Sequence, residues 1–180
     1  MQALKTYMDY SLPESTRDKA KEVLKSETEK LLKLNTYKQN KNDDDTLLDV
    51  NNLTEEVRKE LSLFASDLIN QIRKQFGTKN TIVTSSAIDF AKKVADEYVN
   101  SNFGVHKGHN EVGISKVVSE YGLSQGQFYE NLYGLYSENN QVTKGSLKSM
   151  IYNGIVKFML NGTEWLHAQS IAGINYNNPQ

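Results

Sequence analysis

The apolar positions of this chain recur mostly at helical spacing. In the clearest run, Leu61, Phe64, Ala65, Leu68, Ile69, Ile72 and Phe76 fall at steps of three and four after Leu53-Thr54-Glu55-Glu56-Val57. Such spacing places them on one face of an α-helix. Thr54 offers an N-cap hydroxyl, Glu55 and Glu56 complement the positive helix end, and Gly77 suits a left-handed stop. A second strong run, Leu147, Met150, Ile151, Gly154, Ile155, Phe158 and Met159, predicts a helix over about Gly145–Leu160. Another is expected from about Ser86 to Asn100, with Ile88, Ala91, Ala95 and Tyr98 inward. A short one over about Ile114–Tyr121 carries Val117 and Val118.

The rest of the chain is less regular. Pro13 after Ser11 marks a helix start, and Arg17–Leu34 is helix-forming. Its apolar stripe (Val23, Leu24, Leu31, Leu32, Leu34) is narrow and broken at Glu27–Lys30, which predicts a solvated helix with one docked face. Gln39–Asp45 is polar and reads as a linker. Asp43, Asp44, Asp45 and Asp49 offer hard oxygens, but neither the spacing nor the turn glycine of a calcium loop is present. Thr81-Ile82-Val83 is β-prone, Phe103–Gly113 reads as a loop bearing glycine and histidine, and Trp165–Ile174 reads as a buried strand. Helices and strands do not alternate in a βαβ rhythm, so the expected class is α+β. The expected organisation is a charged helix and acidic linker over 1–45, then one domain over 46–180.

Composition narrows the function classes. With 38% hydrophobic and 24% charged residues in 180, the chain can bury a core and is not disordered as a whole. Lys and Arg total 21 against 22 Asp and Glu, so no basic excess exists to neutralise phosphates and nucleic acid is not an expected partner. The absence of cysteine excludes disulfides, thiolate metal sites and thiol nucleophiles. No run approaches the about 18 apolar residues of a membrane span. Residues 1–10 lack the apolar core of a signal peptide, and 175–180 carry no anchoring signal. The chain is therefore expected to be cytosolic or a piece of a larger protein, and the motifs below favour the latter.

Histidine is the scarce chemical resource: only His106, His109 and His167 are present. Together with Glu130 in Tyr129-Glu130-Asn131-Leu132, His109 and His167 supply two imidazoles and a carboxylate. That is the minimum kit for a divalent cation such as zinc or for acid–base work. No H-E-x-x-H, G-x-S-x-G or G-x-G-x-x-G run accompanies them. Structural roles serve these residues equally well: a solvated loop for His109, a backbone-bonded core edge for His167, and a carboxylate bonded to a backbone N–H for Glu130.

Four blocks in order carry a resemblance. Ile69–Gly77 (INQIRKQFG) looks like the L-N-x-x-R-x-x-x-G signature of the first helix of the CAP (SCP-like extracellular) superfamily. Ile82–Tyr98, with Ala87, Ala91 and Ala95, resembles its second helix. Tyr129-Glu130-Asn131-Leu132 is similar to its G-E-N-[IL] motif, and His167 sits where its late G-H motif falls. A closer resemblance, over about 46–174, is to the surface-exclusion (PrgA/PgrA-type) domain of Gram-positive cell-wall-anchored proteins. It is carried by Asn52-Leu53-Thr54, Glu60–Ala65 with Leu68–Arg73, His109, Tyr129-Glu130, Leu147-Lys148, Ile151-Tyr152 and Trp165–Gly173.

The resemblance implies an α-β-α sandwich, a small antiparallel sheet flanked by helices, whose cleft places two histidines and two glutamates around a divalent cation, possible zinc included. His109, Glu130 and His167 match three of the four. For the fourth acid Glu138 is nearest in order and Glu164 nearest to His167. Tyr129 and Leu166 replace the glycines that precede Glu130 and His167, and both fill space beside the cleft. The implied function is a secreted cell-surface module for adhesion or surface exclusion, with a host or bacterial surface protein or glycan as partner. The alternative is a metal-assisted, protease-like hydrolase that uses the His/Glu cleft.

Overall fold

The computed structural model describes residues 1–126, 129–134 and 139–174. Among them the chain forms eight α-helices and a two-stranded antiparallel sheet, an α+β architecture. The helices are α1 (Gln2–Met8), α2 (Glu14–Leu34), α3 (Lys41–Asp44), α4 (Glu55–Phe76), α5 (Ser85–Asn100), α6 (Glu111–Glu120), α7 (Lys144–Met159) and α8 (Leu166–Ala172). Strands β1 (Leu47–Asp49) and β2 (Gln141–Thr143) pair with Leu48 opposite Val142.

Local chemistry sets most helix ends. The Thr54 hydroxyl accepts from Val57 N at 3.3 Å to start α4, and Gly77 at φ 70° stops it. Thr84, Asn110 and Thr143 cap α5, α6 and α7 in the same way. Pro13 sits immediately before α2. The polar stretch expected as a linker contains one helical turn, α3, because the Asn40 side chain accepts from Asn42 N at 3.0 Å. The inward face of α5 is also shifted from the expected one. Phe90, Val94 and Tyr98 face the core, while Ala91 and Ala95 are exposed. A face made of large side chains buries more apolar area than one of alanines.

The expected strand over Trp165–Ile174 is instead helix α8. Trp165, Ala168, Ile171 and Ala172 are buried while Leu166 is 63% exposed. That is a three-and-four rhythm on small residues, which lets a short helix approach its neighbours closely, and Gly173 at φ 66° ends it. His167 is thus on a helix, not at the entry of a strand. Thr81-Ile82-Val83 forms no strand either. Asn70 on α4 holds it through Thr81 N at 2.7 Å, and Ile82 points out, 76% exposed.

Two buried clusters result. Leu4, Met8, Phe76, Trp165, Ala168, Ala172 and Ile174 form one, which joins α1, α4 and α8; Leu24 of α2 packs against it. Val94, Ile114, Val117 and Val118 form the other, between α5 and α6. Arg73 of α4 donates to the carbonyls of Ile171 (3.0 Å), Ser170 (3.3 Å) and Lys79 (2.9 Å), so it closes the C-terminal end of α8. The Asn70/Arg73/Gly77 spacing therefore has a structural meaning.

An ion network fastens α3 and α4 to α7. Lys148 Nζ lies 2.9 Å from both Asp43 Oδ2 and Glu60 Oε1, and Lys144 Nζ lies 2.9 Å from Glu60 Oε2. Burial alone would lower the Lys148 ammonium, but hydrogen bonds to Glu60 and Asp43 outweigh it and raise it. The hydrogen bonds from Lys144 and Lys148 hold Glu60 below its ordinary value.

Two outcomes follow for stability. Trp165→Ala is expected to cost about 3–5 kcal/mol, against less than about 0.5 kcal/mol for Val112→Ser at a position 83% exposed; urea melts compare them. A depressed carboxyl contributes stability that is present above its unfolded value and lost as pH falls through its folded value. Glu60→Gln should therefore destabilise at neutral pH, and its melting temperature should converge on that of the parent chain as pH falls below about 4.5. A gap of constant size down to pH 3 would show that the ion pairs contribute nothing.

Candidate functional site

The segment 129–134 brings the predicted residues together in pairs. Glu130 and Asn131 are neighbours in sequence, and each takes one histidine. His109 Nδ1 is 2.7 Å from Glu130 Oε1, and His167 Nδ1 is 2.8 Å from Asn131 Oδ1. A carboxylate and an amide oxygen only accept, so both Nδ1 atoms carry the proton. His109 and Glu130 are both largely buried, at 23% and 16% side-chain exposure.

Each pair is anchored by a helix. Tyr98 on α5 donates to the same Glu130 Oε1 at 2.5 Å and accepts from Asn110 N at 2.9 Å, the residue that caps α6. Burial first, and then the Glu130 carboxylate, push the Tyr98 phenol up to about 12. It remains a donor across the whole physiological range. On the other side Asn131 Nδ2 donates to Ser170 Oγ of α8 at 3.1 Å, which fixes the amide orientation, and the Phe158 ring of α7 lies 4.7 Å from the His167 ring. By sequence Tyr98 is expected only on the inward face of its helix, and Asn131 has no assigned role. Asn131 stood inside the quoted motif, whereas nothing local marks Tyr98, which meets Glu130 across 32 positions.

Tyr129 sits at φ 55°, in the left-handed region. This is the position where the resembled motif carries glycine, and glycine adopts that backbone freely. A tyrosine there costs about 1–2 kcal/mol. Its hydroxyl donates to Ser124 O at 2.9 Å and its ring meets Phe90 edge-on at 6.1 Å, contacts that offset the strain. Leu166, the other departure, points out of the core.

The remaining candidates are dispersed. Glu164 Oε2 accepts from Leu166 N at 2.8 Å at the start of α8. Its Oε1 is buried without a hydrogen-bond partner, 4.0 Å from His167 Nε2. Glu138 lies outside the described residues. His106 is exposed in a single 3₁₀ turn, Val105–Lys107. The aspartates of the 43–49 stretch have separate tasks: Asp43 binds Lys148 and Asp49 accepts from Asn51 N. Among the described residues no group of three or more His, Cys, Asp or Glu side chains is gathered closely enough to hold a metal ion. The donor set expected for a divalent cation is thus not assembled by His109, Glu130 and His167 in this geometry, and no chemical step is derived through one.

Eight helices and one antiparallel pair of strands, with two histidines held on a Glu-Asn pair, make up an α+β fold. The fold is that of the CAP domain of Enterococcal PrgA, a solved structure with which this chain aligns at a TM-score of 0.73 and 23% identity, over 91% of this chain and 69% of that one. No family model matches the sequence. No curated protein matches it either.

The tautomer assignment can be measured directly. Long-range nitrogen–proton NMR correlations should show neutral His109 and His167 as Nδ1–H imidazoles. Tyr98→Phe removes the acceptor of a buried N–H and one donor to Glu130. It is expected to cost about 1–3 kcal/mol, and an unchanged melt would show that the phenol does not support the pair.

Proposed function

We propose that this domain is a non-catalytic interaction module of a Gram-positive cell-surface protein, acting in adhesion or surface exclusion, with a host or bacterial surface protein or glycan as partner. The observation that carries this reading is the likeness to an enterococcal CAP domain over nine-tenths of the chain, together with the residue blocks that resemble surface-exclusion domains. The histidines support it as well. Their Nδ1 atoms serve to pin the 129–134 segment between α5 and α8, and a rigid scaffold suits a binding surface. No helix among the described residues is long and apolar enough to cross a membrane. In this reading the domain sits outside the cell as part of a larger, wall-attached protein.

One observation favours a hydrolase as second reading. His109 is oriented by a buried carboxylate that is itself oriented by Tyr98, the order of groups that prepares a general base. In that reading His109 and Glu130 act as base and orienting acid.

The two separate in one set of measurements. The fluorescently labelled domain should bind intact Gram-positive cells saturably, and added domain should lower mating-pair formation. His109→Ala should leave binding within about twofold, provided the variant still folds. Casein should remain uncut with and without zinc. Casein cleavage that disappears in His109→Ala would replace the interaction reading with the hydrolase, and absence of both binding and mating effects would end the interaction reading.

A further inference from the structure

A polar recess of about 220 Å³ lies at the N-terminal end of α7, apart from the His109–Glu130–Asn131–His167 array. It is lined by Tyr37, Gln39, Asp44, Ser146, Ser149 and Asn153, and Met150 also contributes. Its walls come from three parts of the chain: the stretch after α2, the α3 turn and the exposed side of α7.

The chemistry of the lining restricts the ligand. No lysine, arginine or histidine lines the recess, and Asp44 places a carboxylate in it, so an anion is disfavoured. A metal ion is disfavoured too, because the neighbouring Asp43 is committed to Lys148 and Asp44 is the single carboxylate present. What remains is a dense set of neutral hydrogen-bonding groups: two carboxamides, two serine hydroxyls and a phenol. Met150 and the Tyr37 ring add apolar surface. This combination fits a neutral, hydroxyl-rich molecule with one apolar face. The volume is below the roughly 300–1,000 Å³ of sites for drug-sized ligands, which limits the occupant to about one ring.

The walls are fixed in advance. The Tyr37 ring packs edge-on to Phe64 at 6.5 Å and tilted on Tyr152 at 5.8 Å. Asn153 Nδ2 donates to Ser149 Oγ at 3.3 Å, which sets the amide direction. Asp44 lies against the first turn of α7 at Gly145, where an added Cβ would stand 1.9 Å from Asp44 Oδ1. Glycine at this position is what admits the carboxylate. Asp44 makes no ion pair or side-chain hydrogen bond among the described residues, so its oxygens are available to paired hydroxyls.

We infer that this recess binds a single neutral sugar ring, as the terminal unit of a surface glycan. The inference rests on the reading of the domain as a surface interaction module and names the chemistry of one of its partners. Proton–nitrogen NMR titrations of the domain with glucose, galactose and N-acetylglucosamine, and with glucuronate as a charged control, test it. At least one neutral sugar should shift the backbone amides of 37–44 and 145–153 saturably, and glucuronate should bind more weakly than glucose. Asp44→Asn and Asn153→Ala are each expected to weaken binding about tenfold with melting curves close to the parent chain. Asp67→Ala, on the outer side of α4, should leave it unchanged. Absence of saturable shifts with all three neutral sugars, shifts that map elsewhere, or equal binding by both recess variants would overturn the site. Labelled-cell binding by the same variants separates this outcome from the broader reading. Intact cell binding without sugar binding removes the recess and leaves the module. Sugar binding without any cell binding or mating effect removes the module and leaves the recess.

Discussion

Glu130 and Asn131 tie the α5–α6 unit to the α7–α8 unit through hydrogen bonds in opposite directions. Glu130 reaches Tyr98 and His109 on one side, and Asn131 reaches His167 and Ser170 on the other. The segment continues this bridging with its next residues. Tyr133 packs where a side chain on Gly154 would stand, and Gly134 leaves room for Val105. Helices α5 and α6 pack chiefly on each other through their own cluster, so this short stretch is a main mechanical link to the larger core. The left-handed backbone at Tyr129 fits that view: strain persists where the surrounding contacts over-determine a conformation.

The larger core is closed by a different principle. Trp165 and the alanines of α8 allow close approach of α1 and α4, while Arg73 satisfies the carbonyls that the end of α8 leaves open. Helix α1 contributes Leu4 and Met8 to this cluster, and its Tyr7 ring stands edge-on to Trp165 at 5.3 Å. Charge takes over at the other end of α7, where Lys148 is shared between Asp43 and Glu60. A buried ammonium with one partner would be costly, and two carboxylates with a second lysine on Glu60 complete the pairing.

This arrangement bears on function through what it leaves available. The histidines are oriented rather than gathered, because each is held by a different residue of one strap. Each imidazole is held through Nδ1 by its own partner. The polar recess on α7 borders the ion network, whose Asp43 and Lys148 act electrostatically on the Tyr37 that lines it.

The sequence by itself determined the amphipathic helices and their ends. The face of α4, the threonine caps, the Gly77 stop and the run of α7 follow from side-chain period and from local hydrogen-bond chemistry, which act within a few residues. It also singled out His109, Glu130 and His167 as candidates, because histidine is scarce and because separate short blocks in order carry a resemblance. Only the tertiary structure decided that Trp165–Ile174 is a helix, since its small residues fit either period and the choice rests on burial against α1 and α4. The same holds for α1, whose seven residues are too few to form a helix without Trp165 to cover them, and for β1 and β2, which meet across more than ninety positions. Tyr98 joined Glu130 for the same reason. Contacts between distant positions depend on how whole helices pack, and no local pattern of residue types encodes that.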